Sequence, residues 1–313
     1  MSWPGLLKAA VFLAVFLFGL RRMSGAIARS SGTAFPKILA GLTGTPWRSF
    51  GTGFLVTALL QSSSLTTVMV VSLVNAGVMT FSQGCGVIIG ANVGTTITGQ
   101  LLSFNLHWLA WPLLGLALLC RLIPHPGLRK ASGPLCGCGL LLLGMSGMPA
   151  ALASLKEGAL FNRVLQAAGE TLWRGLLTGV IGAALLQSSS AVVGIVLSLA
   201  HEEMIRLPAA LMLVIGADLG TCTTALIAAA GMERTARRAA WFHFFFNLIS
   251  LALAAAFYPY LLLIAEKSAA ALPRQLANAH FLYNLLGAIV LLPLAAPLSR
   301  RVERCNFWGA GRR

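Results

Sequence analysis

The sequence predicts an all-α polytopic membrane protein made of two inverted repeats. Each repeat carries a re-entrant helical hairpin followed by a broken transmembrane helix. Three observations lead there. First, charged residues are 10% of the chain and hydrophobic residues 57%, with mean hydropathy +0.82. A soluble domain carries about 25% charged residues. Second, residues 58–64 read Ala-Leu-Leu-Gln-Ser-Ser-Ser, and residues 184–190 read the same. Third, a Gly-Ala-Asn-Val-Gly-Thr run at 90–95 follows the first copy, and Gly-Ala-Asp-Leu-Gly-Thr at 216–221 follows the second. Both pairs share an offset of 126 residues, and 47–98 against 173–224 gives 20 identities in 52 ungapped positions. A duplicated polar run inside apolar segments is the sequence signature of repeat-built secondary transporters.

The net charge of +15 does not point to nucleic acid. The Lys and Arg residues sit in short stretches between apolar segments, as in an integral membrane protein. The six cysteines form no metal-ligand spacing, and Cys136-Gly137-Cys138 reads as small residues at a helix interface. No cofactor is expected. The apolar stretch Leu6–Leu20 resembles a signal-peptide core. Arg21-Arg22 follow it without a small-residue cleavage site, so it reads as a retained helix.

Taken in order, full crossings are expected near 4–20, 85–103, 106–123, 135–153, 209–230, 240–264 and 278–298, about seven in all. Two long segments remain, 50–78 and 176–200, each interrupted at its centre by Gln-Ser-Ser-Ser. Loop charge indicates how they run. Arg21, Arg22, Arg29, Lys37 and Arg48 place the 21–49 loop in the cytoplasm. If both leftover segments are re-entrant, the basic loops 124–134 and 231–239 also fall in the cytoplasm. So does the tail with Arg300, Arg301, Arg304, Arg312 and Arg313, while His201-Glu202-Glu203 falls outside. If both were full spans, the basic 124–134 loop would lie outside, against the rule. The expectation is therefore an outside N-terminus and a cytoplasmic C-terminus in a multi-pass protein of the cell membrane. Three spans between the hairpins make the second hairpin enter from the opposite face. Repeat 1 is expected at about 47–153 and repeat 2 at about 173–298, within one transmembrane domain covering 1–313.

The candidate binding residues follow from this plan. Gln61, Ser62, Ser63 and Ser64, with Gln187, Ser188, Ser189 and Ser190, supply hydroxyls and amides at the hairpin tips. Hydroxyls donate to an oxyanion and accept from a cation. A helix N-terminus at each tip favours an anion. Asp218, the lone aspartate of the chain, sits mid-segment, where an ionised carboxylate is costly and is generally functional. It is read as a ligand to a hard cation such as Na⁺, with Ser64 and Ser190 as further cation ligands. Asn92 holds the equivalent position in the first copy. Gly90, Gly94, Gly216 and Gly220, with Thr95, Thr96, Thr221 and Thr223, suggest helices broken around Gly-X-X-X-Gly-Thr, although that spacing also suits close helix packing. His243 with Asn247, and His280 with Asn284, form a repeated His-X-X-X-Asn on one helix face, read as a polar brace or proton relay.

Gly144-Met145-Ser146-Gly147 with a membrane histidine invites an intramembrane serine protease reading. Ala151 stands where those enzymes continue with glycine, and that reading leaves the duplication unexplained.

At these residues the chain resembles the type II sodium/phosphate cotransporter family. The resemblance rests on Thr57–Ser64, Val74-Asn75-Ala76-Gly77, Gly90–Thr96, Gln187–Ser190 and Gly216–Thr221. Phe18-Gly19-Leu20-Arg21-Arg22-Met23-Ser24 and Ala277-Asn278-Ala279-His280 are similar to bacterial members. It covers roughly residues 10–298. It implies Na⁺-coupled transport of inorganic phosphate, with the Gln-Ser-Ser-Ser regions forming the substrate and sodium site. Phosphate, Na⁺ and the lipid bilayer are the expected partners, and the oligomeric state stays open. H⁺ coupling or another oxyanion is the alternative. The chain ends at Arg313, where many bacterial relatives continue into a soluble regulatory domain. Thr66 and Thr67 follow the first motif, whereas Val192 and Val193 follow the second, so the two ligand sets differ.

Overall fold

A computed structural model describes residues 3–156 and 158–304 of the chain. Arg312 and Arg313, which the topology argument used, and Cys305 lie outside the described residues. Every regular element described is helical: α1 (Trp3–Ser31), α2 (Ala34–Gly41), α3 (Pro46–Leu60), α4 (Ser63–Asn75), α5 (Phe81–Leu102), α6 (Ala110–Leu122), α7 (Pro126–Ala153), α8 (Ala159–Glu170), α9 (Leu172–Leu186), α10 (Ser189–His201), α11 (Leu207–Ala229), α12 (Arg234–Ala256), α13 (Tyr258–Ser268) and α14 (Leu272–Arg304), with one 3₁₀ turn at His107–Leu109.

Six of these are long and apolar enough to cross a membrane: α1, α5, α7, α11, α12 and α14. The seventh expected crossing, 106–123, is a shorter apolar element than the other six. It divides into the 3₁₀ turn and the 13-residue α6. At 1.5 Å per residue α6 spans about 20 Å, against a hydrocarbon core of about 30 Å. Ile123 is extended because Pro124 follows it, and this ends the helix. The expected crossing at 240–264 is likewise displaced. α12 starts at Arg234 and stops before Phe257, and the chain restarts as α13 with Pro259 in its first turn. α1 is longer than expected. Its 29 residues carry Arg21, Arg22 and Arg29 inside the helix, where a loop was expected.

The chain turns back between α3 and α4, and again between α9 and α10. Thr57 on α3 donates to Thr66 on α4 across the first turn, at 2.9 Å between their Oγ1 atoms. α3 and α4 have 15 and 13 residues, as do α9 and α10. Each arm is therefore about 20 Å long, too short to cross a bilayer alone.

The expected breaks in the following helices are absent, since α5 and α11 run unbroken through both Gly-X-X-X-Gly segments. The glycines serve packing instead. A Cβ on Gly90 would sit 2.0 Å from the Phe50 carbonyl oxygen, and one on Gly53 would sit 2.1 Å from that of Val87. The same contacts recur in the second copy, Gly216 against Leu176 at 2.1 Å and Gly179 against Leu213 at 2.0 Å. Only hydrogen can occupy those points, so α5 lies backbone to backbone on α3, and α11 on α9. Gly94 meets Phe54 further along, as Gly220 meets Val180. The contacts advance together on both helices, so the members of each pair run parallel.

The 126-residue register also extends upstream of the sequence match. α1 corresponds to α7, α2 to α8 and α6 to α12, while α13 and α14 follow. α1 and α7 pack tightly on each other. A Cβ on Gly137 would sit 2.4 Å from the Met23 backbone nitrogen, which fits the interface reading of the Cys-Gly-Cys run. α4 packs on α11, and α10 on α5, so each hairpin's second arm reaches the other copy. One apolar cluster gathers around α1, α7, α10 and α11, and another around α3, α4, α5 and α12.

Gly90→Ala should lower thermal stability by about 1–3 kcal/mol through overpacking against Phe50. Gly51→Ala, which meets open space, should be neutral or stabilise by roughly 0.5–1 kcal/mol. Unfolding in detergent, followed by intrinsic fluorescence, checks both. An unchanged melting temperature for Gly90→Ala would contradict the backbone contact.

Candidate functional site

The two polar motifs share one local structure. α3 ends at Leu60, and Gln61 caps it in the left-handed region with φ 54°. Ser62 then turns extended and caps α4, its Oγ accepting from the Leu65 N–H at 3.3 Å. In the second copy Gln187 has φ 51°, and Ser188 Oγ accepts from the Ala191 N–H at 3.2 Å. A bulky side chain rarely adopts positive φ, and such residues persist where the surrounding structure holds them. The sequence Gln-Ser-Ser-Ser thus ends one helix, caps the next and leaves the N–H groups of a new N-terminus at the tip.

Both tips line one cavity of about 490 Å³. Its wall includes Gln61, Ser62, Ser63, Ser64, Gln187, Ser188, Ser189 and Ser190, with Leu17, Arg21 and Ser24 from α1. Eight of the residues singled out from sequence are therefore gathered at one place. Two helix N-termini and the six serines of the tips belong to its wall, and no carboxylate is among its described lining residues. This chemistry suits an anion.

The remaining candidates lie off the cavity wall. Thr66 Oγ1 bonds the Ser62 carbonyl at 3.1 Å and braces the first hairpin. Thr95 Oγ1 donates to Ser63 Oγ at 3.2 Å, fixing the tip against α5. The hydroxyls of Thr96, Thr221 and Thr223 donate back to carbonyls of their own helices, Val93, Ala217 and Gly220, at 2.6–2.8 Å. Asn92 Nδ2 donates to the Ile88 carbonyl at 2.8 Å.

Asp218 forms a second polar centre, 4% exposed. Its Oδ2 lies 3.0 Å from His280 Nε2 and accepts from Asn284 Nδ2 at 3.0 Å and from the Tyr283 hydroxyl. Its Oδ1 has no hydrogen-bond partner among the described residues. The repeated His-X-X-X-Asn explains part of this arrangement. Asn247 and Asn284 donate to the carbonyls of His243 and His280, one turn back. His243 reaches Asn92 Oδ1 at 3.3 Å. Each histidine therefore meets one of the two positions related by 126 residues, Asn92 or Asp218. The buried amide oxygens of Asn247 and Asn284 are also without partners among the described residues.

Sequence reasoning missed two participants. Arg21 was read only as a topological charge, although it belongs to the Phe-Gly-Leu-Arg-Arg-Met-Ser run already singled out. Tyr283 gave no signal beyond lying between His280 and Asn284. Ser146, the protease candidate, donates to the Leu143 carbonyl at 2.8 Å.

Paired polar hairpin tips facing one cavity in an apolar helical body are the arrangement of a secondary membrane transporter. Comparison with known proteins agrees. The family model described as Na⁺/Pi-cotransporter matches residues 15–150 and again 140–287. The chain belongs to that family, and it is a multi-pass membrane protein. YqeW of Bacillus subtilis (strain 168), whose name assigns no activity, is 30% identical over 292 residues, covering 92% of this chain and 94% of its own. YjbB of Escherichia coli (strain K12), named for inorganic phosphate export, is 27% identical over 292 residues. This chain spans about half of that relative's length, 53%. The sodium-dependent phosphate transport protein 2A of Ovis aries is 33% identical over 94 residues, 29% of this chain and 15% of its own. No solved structure matches.

Tyr283→Phe removes one of three donors from a buried carboxylate. The expected loss is about 1.5–3 kcal/mol of stability, read as a lower melting temperature in detergent. Wild-type stability would show that the Tyr283 contact carries no weight.

Proposed function

We propose that this protein carries inorganic phosphate across the cell membrane, coupled to Na⁺, by alternating access. The observation that carries the reading is the cavity shared by the two Gln-Ser-Ser-Ser tips. Phosphate offers acceptor oxygens in several directions, and the tips offer hydroxyls, amides and helix N-termini on opposite walls. The family match and the phosphate transport named for YjbB and the 2A protein support the substrate.

A phosphate dianion entering an apolar body carries a large desolvation cost, and a bound cation offsets it. Asp218 is the residue we assign to Na⁺. Its bare Oδ1 and the bare amide oxygens of Asn247 and Asn284 are the donor type a hard cation takes. Ser64 and Ser190, on the cavity wall, offer a second set of oxygens beside the anion. Cation binding would thus have two positions, one at the cavity and one at Asp218. A second reading, H⁺ in place of Na⁺, is favoured by the Asp218–His280 contact, where a proton could take the cation's place.

The repeat units we assign are α1–α6 and α7–α12, inverted relative to one another within one transmembrane domain. Counting the short apolar segment His107–Leu122 as a crossing alongside α5 and α7, the hairpins α3–α4 and α9–α10 enter from opposite faces as re-entrant elements. On the same count, loop charge places the N-terminus outside and the C-terminus in the cytoplasm. Exchange of access between the two faces then needs only movement of one unit against the other around the shared cavity.

The test is uptake of radiolabelled phosphate into proteoliposomes under an inward Na⁺ gradient, an equal K⁺ gradient, or an inward H⁺ gradient without Na⁺. The expected result is accumulation above equilibrium with Na⁺ alone. Accumulation driven by H⁺ without Na⁺ would establish the second reading. A protein that moves no phosphate under any gradient would overturn both. Ser63→Ala combined with Ser189→Ala should reduce uptake at least tenfold while leaving the caps at Ser62 and Ser188, and hence the fold, in place.

A further inference from the structure

Arg21 is the one charged residue among those lining the cavity. Sequence reasoning gave it a topological role, and that role does not explain its position. Three observations bear on it. First, Arg21 is held in relation to the first hairpin tip. Ser24, three residues on and on the same face of α1, is buried and donates to the carbonyl of Leu60, the last residue of α3 before Gln61. The α1 face bearing Arg21 is therefore tied to the start of the tip.

Second, the charge has no counterpart across the duplication. The 126-residue register carries Arg21 to Gly147 and Ser24 to Ala150. Gly147 instead packs under the Phe12 side chain, whose ring lies 2.0 Å from where a Cβ would stand. Third, no carboxylate is among the described residues of the wall, so Arg21 shares it with hydroxyls, amides and apolar side chains.

We propose that Arg21 binds the transported oxyanion directly, holding it against the first hairpin tip and off the axis that relates the two copies. The proposal rests on the reading of the cavity as the phosphate site. A guanidinium presents two parallel N–H donors that match two oxygens of a tetrahedral oxyanion, and its charge balances one of the anion's. The hydroxyls and N-termini recognise shape and hydrogen-bonding capacity, whereas Arg21 recognises charge. Loss of it should weaken the dianion more than the monoanion. Arg22 is the internal control. It is adjacent, exposed and of equal topological value, yet it is not among the lining residues.

The experiment compares wild type, Arg21→Lys, Arg21→Gln and Arg22→Gln in proteoliposomes, using radiolabelled inorganic phosphate between pH 6 and 8. The expected result is a KM raised about 10- to 100-fold for Arg21→Gln. Its preference for the dianion should flatten across that pH range, Arg21→Lys should fall between, and Arg22→Gln should match wild type. A second measurement needs no variant. Phosphate should protect Arg21, and not Arg22, of the wild-type protein from phenylglyoxal, read by peptide mass spectrometry. A wild-type KM and pH profile in Arg21→Gln, an equal rise in Arg22→Gln, or absence of selective protection would overturn the assignment while phosphate transport by the wild type stands. A wild type that neither binds nor moves phosphate would overturn the reading of the cavity, and the role of Arg21 with it.

Discussion

The structure depends on the backbone contact between each hairpin's first arm and the helix that follows its second. α5 can lie on α3 because Gly53, Gly90 and Gly94 present hydrogen where any other residue would place a methyl group. α11 lies on α9 through Gly179, Gly216 and Gly220 in the same way. A helix interruption inside an apolar body would expose polar backbone at high cost. Here the interrupted segment is held against a continuous helix, so its free N–H groups open on a shared cavity. The Thr95–Ser63 hydrogen bond then sets the first tip against α5.

Polar groups inside this apolar body fall into two centres of different character. The cavity collects donors, namely hydroxyls, amides, helix N-termini and one guanidinium. The Asp218 centre collects acceptors left bare, Asp218 Oδ1 and the amide oxygens of Asn247 and Asn284, held in a frame of histidines and Tyr283. Separating anion-seeking from cation-seeking chemistry avoids neutralising the site internally. Had Asp218 faced Arg21, the two would have satisfied one another and left little for ligands. α11 links the two centres mechanically, because it carries Asp218 and packs against α9, which ends at the second tip.

The duplication supplies the frame, and departures from it supply the chemistry. The capping geometry at Gln61 and Gln187 is nearly identical, and the glycine contacts repeat pair by pair. Some of the differences change polar groups. Asn92 stands against Asp218, Thr66 and Thr67 against Val192 and Val193, and Arg21 against Gly147. A symmetric scaffold would let the two halves exchange roles in the alternating access proposed above, and its asymmetric charges would give bound ions preferred sides.

The sequence by itself determined the membrane class, the all-helical architecture, the duplication and the position of both interruptions. Each of these follows from local composition or from self-similarity. Polar residues in an apolar run mark a break, and a fixed offset marks a repeat. It misjudged the Gly-X-X-X-Gly helices, because the spacing that permits a break is the same spacing that permits close packing, and only a neighbour decides between them. It also read 106–123 as one uninterrupted helix, where Pro124 and a 3₁₀ turn leave a helix of 13 residues. The tertiary structure alone decided which polar residues share a wall. Equivalence under the 126-residue register says which positions correspond, but not which ones face each other, since that depends on the rotation and crossing of packed helices. Arg21 shares a cavity wall with the hairpin tips, and Asp218 meets Tyr283, through the packing of helices far apart in the chain.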